Sequence, residues 1–166
     1  MSEWIDELKN GLKVESENKE FSKNNLGDFI EKFIEIAETE LAKINDEFFG
    51  GKPICRVSAH AGKSYFDVII GEMAQTTLLV KFEPNKFIKV TRQIATSGGK
   101  LMELPEVIAI KKFPDGYRIT FEPELIDGRR NTTKIGEQTL ARMLVEPALR
   151  QHFNQPQVSY EKDFNR

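Results

Sequence analysis

Apolar residues along this chain keep two different periods. From Leu26 to Phe48 they recur at steps of three and four: Leu26, Phe29, Ile30, Phe33, Ile34, Ala37, Leu41, Ile44 and Phe48. That spacing lines one face of an α-helix. Asn25 is the expected N-cap, with Asp28 in the capping-box position. Gly50-Gly51 is the expected stop, because glycine tolerates the left-handed conformation that ends helices. The other face carries Glu31, Glu35, Glu38, Asp46 and Glu47 and reads as an acidic, solvated surface.

From Lys52 onward the period becomes two. ICRVSAH, SYFDVIIG, TLLVKFE, FIKVTRQI, EVIAIKKF and YRITFEP read as six strands. The intervening AGK, EMAQT, PNK and PDG are short, which requires antiparallel neighbours, since parallel pairs need a long crossover. Leu78, Val80 and Phe82 oppose Leu79, Lys81 and Glu83, and Ile88, Val90 and Ile94 oppose Lys89, Thr91 and Gln93. One sheet face is therefore apolar and can receive the helix, while the other is mixed. The longer ATSGGKLMELP reads as a loop. A last helix is expected from about Thr133, with Ile135, Leu140, Met143, Leu144, Ala148 and Leu149 on its apolar side. Pro147 should kink it or open a second helix.

The fold class expected is α+β: a long amphipathic helix on a roughly six-stranded antiparallel meander, closed by a C-terminal helix. Residues 25–154 make this domain, and 155–166 a polar tail. Residues 1–24 read differently. Trp4, Ile5, Leu8 and Leu12 share one stripe of a short helix that Ser2 can cap, and VESENKEFSKNN then reads as a linker. A helix this short is marginal alone, so its stripe must dock on its own domain or on a partner.

Composition narrows the function. The chain has 166 residues, net charge −2, 12 Phe and a single cysteine. The charge balance argues against a general nucleic-acid binder, although Lys111, Lys112, Arg118, Arg129, Arg130 and Lys134 cluster late in the chain and can meet a phosphate backbone. No apolar run approaches the length of a membrane span. The N-terminus has no secretory pattern, which gives a cytoplasmic expectation. Cys55 lies in a strand pattern and reads as a buried, inert thiol.

Motifs that resemble chemistry fail on context. Gly62-Lys63-Ser64 ends like a phosphate-binding loop, but Val57 stands where that loop needs glycine and a strand follows where a helix is needed. Thr96-Ser97-Gly98-Gly99-Lys100 can form an anion nest but leads into no helix. Glu122, Glu124 and Asp127 group three acids beside Arg129 and Arg130, their more obvious partners. Only two histidines exist, His60 and His152, too far apart for zinc spacing. No cofactor and no metal are assigned. His60, Tyr65, Asp67, Arg92, Arg118, Arg129 and Arg130 are the polar candidates for a pocket or anion site.

The reading is a non-enzymatic protein-binding module of adaptor, chaperone or immunity type, self-associating or bound to a protein partner through Trp4, Ile5, Leu8 and Leu12. The alternative is a small-molecule binder or small enzyme with a pocket between sheet and helices.

Overall fold

The computed structural model describes residues 2–60, 62–72, 75–84, 87–95, 101–104, 107–113, 116–120 and 137–158. Among these residues an N-terminal helix α1 (Glu3–Phe49) is followed by seven strands and a C-terminal helix α2 (Glu137–His152). The strands are β1 (Cys55–Ala59), β2 (Tyr65–Ile70), β3 (Thr76–Pro84), β4 (Ile88–Ala95), β5 (Leu101–Glu103), β6 (Ile108–Phe113) and β7 (Gly116–Thr120). They form one antiparallel sheet in the order β1-β2-β3-β4-β6-β7. The fold is α+β, as the periodicities require.

The stretch expected to be a loop after β4 contains one difference. Leu101–Glu103 is a short strand that pairs with Gln93–Ala95, and Leu104 N–H continues the ladder onto the Arg92 carbonyl at 3.0 Å. The outer edge of β4 is thus shared between β5 at one end and β6 at the other.

The larger difference lies at the N-terminus. α1 runs unbroken for 47 residues, about 70 Å, through the segment expected to be a linker. Residues 13–25 are rich in good helix formers and contain neither glycine nor proline. Their inward positions are Asn18, Phe21 and Ser22, all buried. Asn18 Nδ2 donates to the Val14 carbonyl at 3.2 Å and Ser22 Oγ to the Lys19 carbonyl at 3.0 Å, so each makes a bond within the helix. Two buried polar residues hide the apolar period. Asn25 is consequently not an N-cap; it sits inside the helix and bonds back to the Phe21 carbonyl. Ser2 is the N-cap by conformation, though its side chain makes no capping bond. The helix ends as expected at Gly50, φ 60°, with Gly51 N–H on the Asn45 carbonyl at 2.9 Å.

Both helices cover the same face of the sheet. α1 packs on β1, β2, β3 and β6, α2 packs on β2 and β3, and the helices touch each other. The core between the layers is built from Phe33, Ile36, Leu41 and Ile44 of α1, Met143, Leu144 and Ala148 of α2, and the inward strand positions Phe66, Val68, Leu78, Val80, Phe82 and Val90. Phe33 meets Phe82 edge-on at 5.2 Å, a favourable aromatic arrangement. Phe48, expected on the docking face, is exposed instead, and its ring lies 5.8 Å from that of Phe153. Ile36 takes a buried position.

α2 passes through Pro147 without a break or a second start. The beginning of the expected tail is tied down: Gln157 Nε2 bonds the Pro147 carbonyl at 2.9 Å, and Val158 packs against the core. Residues 159–166 lie outside the described residues.

Candidate functional site

The hairpin formed by β1 and β2 collects three of the polar candidates. Alternation places Tyr65 and Asp67 on the outer sheet face, since Phe66 and Val68 between them point into the core. His60 follows the last residue of β1. Its Nε2 lies 2.7 Å from Asp67 Oδ2, and its ring is 4.8 Å from that of Tyr65. Gly62 at φ 73° and the Lys63 N–H bond to the His60 carbonyl, 3.0 Å, close the turn. With the carboxylate as acceptor, Nε2–H donates. The arrangement orients an imidazole by a carboxylate, one half of a base-catalysis unit.

The other half is missing. Among the described residues no hydroxyl or thiol hydrogen-bonds His60. Ser58 sits opposite Asp67 in the register but makes no such bond. The pair lies on an open sheet surface, with 38% of the His60 side chain exposed. No group of three or more His, Cys, Asp or Glu among the described residues could hold a metal.

The remaining candidates go elsewhere. Arg92 occupies an inward position between Val90 and Ile94 and is completely buried. Its Nη1 donates to the Met143 carbonyl at 2.8 Å. It belongs to the core and faces away from His60. Arg118 lies in β7, opposite Lys111 in the register, on the far side of the sheet from β1. Arg129 and Arg130, with the Glu122, Glu124, Asp127 group and the Thr96–Lys100 nest, lie outside the described residues. Among the described candidates, Arg92 points into the core and does not join His60, Tyr65 and Asp67.

A cleft of about 160 Å³ lies between α1 and α2, lined by Lys32, Glu35, Thr39, Glu40, Lys43 and Gln138 among others. This is below the roughly 300–1,000 Å³ of ordinary small-molecule sites. Its lining mixes both signs of charge and includes none of the candidates above.

Cys55 is buried at the start of β1, and burial pushes its thiol up from 9.0 to about 11. It is no nucleophile at neutral pH. Its backbone is held by Asn45 at the end of α1: the Cys55 N–H donates to Oδ1 at 2.8 Å and Asn45 Nδ2 donates to the Cys55 carbonyl at 3.0 Å. The amide thus fastens the helix to the edge strand.

The N-terminal candidates share one environment. Residues 2–14 are exposed throughout, with Trp4 65%, Leu8 59% and Leu12 61% accessible, and Ile5 less so. At about 100° per residue, Trp4 and Leu8 fall on the same side of α1 as Phe29, Phe33 and Ile44. The face that α1 buries on its own sheet continues past the buried segment into solvent. The surface of α2 is closed differently: Glu146 is gripped by Arg142 four residues before and Arg150 four residues after. Burial works to raise the Glu146 carboxyl, but the hydrogen bonds and charges of the two arginines hold it below the usual value.

Compared with known protein families, curated proteins and solved structures, the chain gives no significant match to any of them. No helix among the described residues is long and apolar enough to cross a membrane.

Proposed function

We propose that this chain is a non-enzymatic protein-binding module whose docking element is the N-terminal part of α1. One observation carries the reading: Trp4, Leu8 and Leu12, at i, i+4 and i+8 on a formed helix, are each more than half exposed. Large apolar side chains arranged this way are the anchors of helix-in-groove recognition. Tryptophan is also the residue type most often dominant in such interfaces. Ile5 widens the stripe. The groove that receives it belongs to a partner protein, or to a second copy in the self-associating case. Among the described residues nothing beside His60 and nothing in the small charged cleft adds support to the enzyme alternative.

The test is site-specific photocrosslinking from a photoreactive residue placed at position 4 of the full chain, in cells. An intermolecular adduct, absent when the same group is placed at Lys63, supports the reading. Its mass distinguishes a second copy from another protein. Crosslinks confined to the same chain would overturn it.

A further inference from the structure

The net charge of −2 conceals a separation of charge between the two sides of the molecule. The outward side of α1 exposes Glu31, Glu35, Glu38, Asp46 and Glu47. The sheet's outer face carries cations. In the register Lys81 lies between Tyr65 and Thr91, Lys89 opposite Ala109, and Lys111 opposite the position of Arg118. Lys81 and Lys89 are diagonal neighbours on β3 and β4, and Lys89 and Lys111 on β4 and β6. Such diagonal steps are about 7–8 Å, and a direct pair is about 5 Å. Three lysines therefore line a basic stripe across β3, β4 and β6.

Among the described residues the acids on this face, Asp67, Glu83 and Glu103, form no ion pair with the stripe. Asp67 is engaged by His60. Glu83 stands opposite Lys89, yet no ion pair forms between them. Lys81, Lys89 and Lys111 are all half-buried and make no ion pair among the described residues. Beside the stripe stands Tyr65, half-buried with its ring against the His60 imidazole, and Thr77, Thr91 and Gln93 supply hydrogen-bonding groups on the same face.

We propose that this outer face binds single-stranded nucleic acid, with Lys81, Lys89 and Lys111 against successive phosphates and Tyr65 stacked under a base. A broad sheet with a cationic track and an aromatic ring suits splayed single strands, whose bases offer π faces. It presents no helix or ribbon to enter a duplex groove. The site is separate from the apolar stripe of α1 and does not depend on it.

Fluorescence anisotropy of a labelled twelve-nucleotide single strand, titrated with the full chain, tests this. Binding should weaken with salt, with a log–log slope of roughly −2 for three phosphate contacts on a single strand. The pair Lys81→Glu and Lys89→Glu should lose at least about tenfold in affinity. The milder Lys81→Gln and Lys89→Gln pair, checked for an unchanged melting curve, should flatten the salt slope. Tyr65→Ala should lose about tenfold without changing the slope. Lys9→Glu with Lys13→Glu, on α1, should change nothing. No rise in anisotropy at about 100 μM protein in low salt would overturn the proposal. So would binding that the sheet variants do not weaken. Equal competition by polyglutamate would also overturn it, marking an acidic-protein surface instead.

Discussion

Arg92 on β4 supplies a hydrogen bond that Pro147 on α2 cannot. In an α-helix the Met143 carbonyl would accept from the N–H of residue 147, and proline has none. Arg92 Nη1 reaches up from the sheet and donates to that carbonyl at 2.8 Å, with both Arg92 and Met143 buried. The proline that the sequence marks as a break is thus accommodated inside a continuous helix, and a charged residue at a core position has a structural role.

The two residues should be thermodynamically coupled. Arg92→Met leaves the Met143 carbonyl without its donor in the core, and the expected cost is about 1–3 kcal/mol. Pro147→Ala restores an N–H to the helix, so Arg92→Met made in that background should cost less. Chemical denaturation of the four chains gives the coupling energy. Strict additivity would show that the bond does not compensate for the proline.

Asn45 is a second joint between layers. Its amide satisfies both the N–H and the carbonyl of Cys55 at the edge of the sheet. Asn45→Ala should destabilise by about 1–3 kcal/mol, because two partly buried backbone groups lose partners. Asn45→Asp keeps an acceptor for the N–H but has no donor for the carbonyl, and should fall between wild type and Ala. Equilibrium unfolding ranks the three.

The N-terminal stripe gives an optical prediction. Trp4 is the single tryptophan and is 65% exposed. Its emission in the dilute chain should be that of hydrated indole and as accessible to acrylamide as in the unfolded chain. Leu8→Glu should change stability by no more than about 0.5 kcal/mol, as expected for a surface site. Phe33→Ala, in the core, should cost about 3–5 kcal/mol. A blue shift of Trp4 on adding a partner, or on raising concentration, reports docking. A large stability loss from Leu8→Glu would place the stripe in the folded body.

Which features were readable from the residues follows from their physics. Strand faces follow from a period of two, and every register pair in the β1–β4 hairpins keeps apolar residues opposite apolar ones on the inner side, apart from Thr76 and Arg92. Arg92 was readable too: parity sets it in line with Ile88, Val90 and Ile94. Its charge drew it toward a ligand site, whereas one of its bonds goes to a carbonyl 51 residues away that no local pattern reveals. The helical span over 13–25 was hidden because its inward positions are filled by Asn18 and Ser22. The pairing of His60 with Asp67 follows from hairpin geometry, while the basic stripe appears only when β3, β4 and β6 are laid side by side. Composition averages that stripe against the acidic helix.

Cys55 supplies the pH prediction. Its thiol is raised from 9.0 to about 11 by burial, so the folded state disfavours the thiolate relative to the unfolded chain. A group whose folded value lies above its unfolded one contributes stability below the unfolded value and loses it as pH rises. The contribution is therefore intact at pH 8 and declines between 9.0 and about 11. Tyrosines and lysines titrate in the same window, so the comparison is with Cys55→Val, which packs but does not ionise. The stability difference between the two chains should be constant up to about pH 8.5 and then move in favour of Val. Native Cys55 should react with a thiol reagent at neutral pH only as fast as the chain opens, and fully after denaturation. Rapid labelling of the native chain would show that the thiol is exposed and remove the basis for the pH effect.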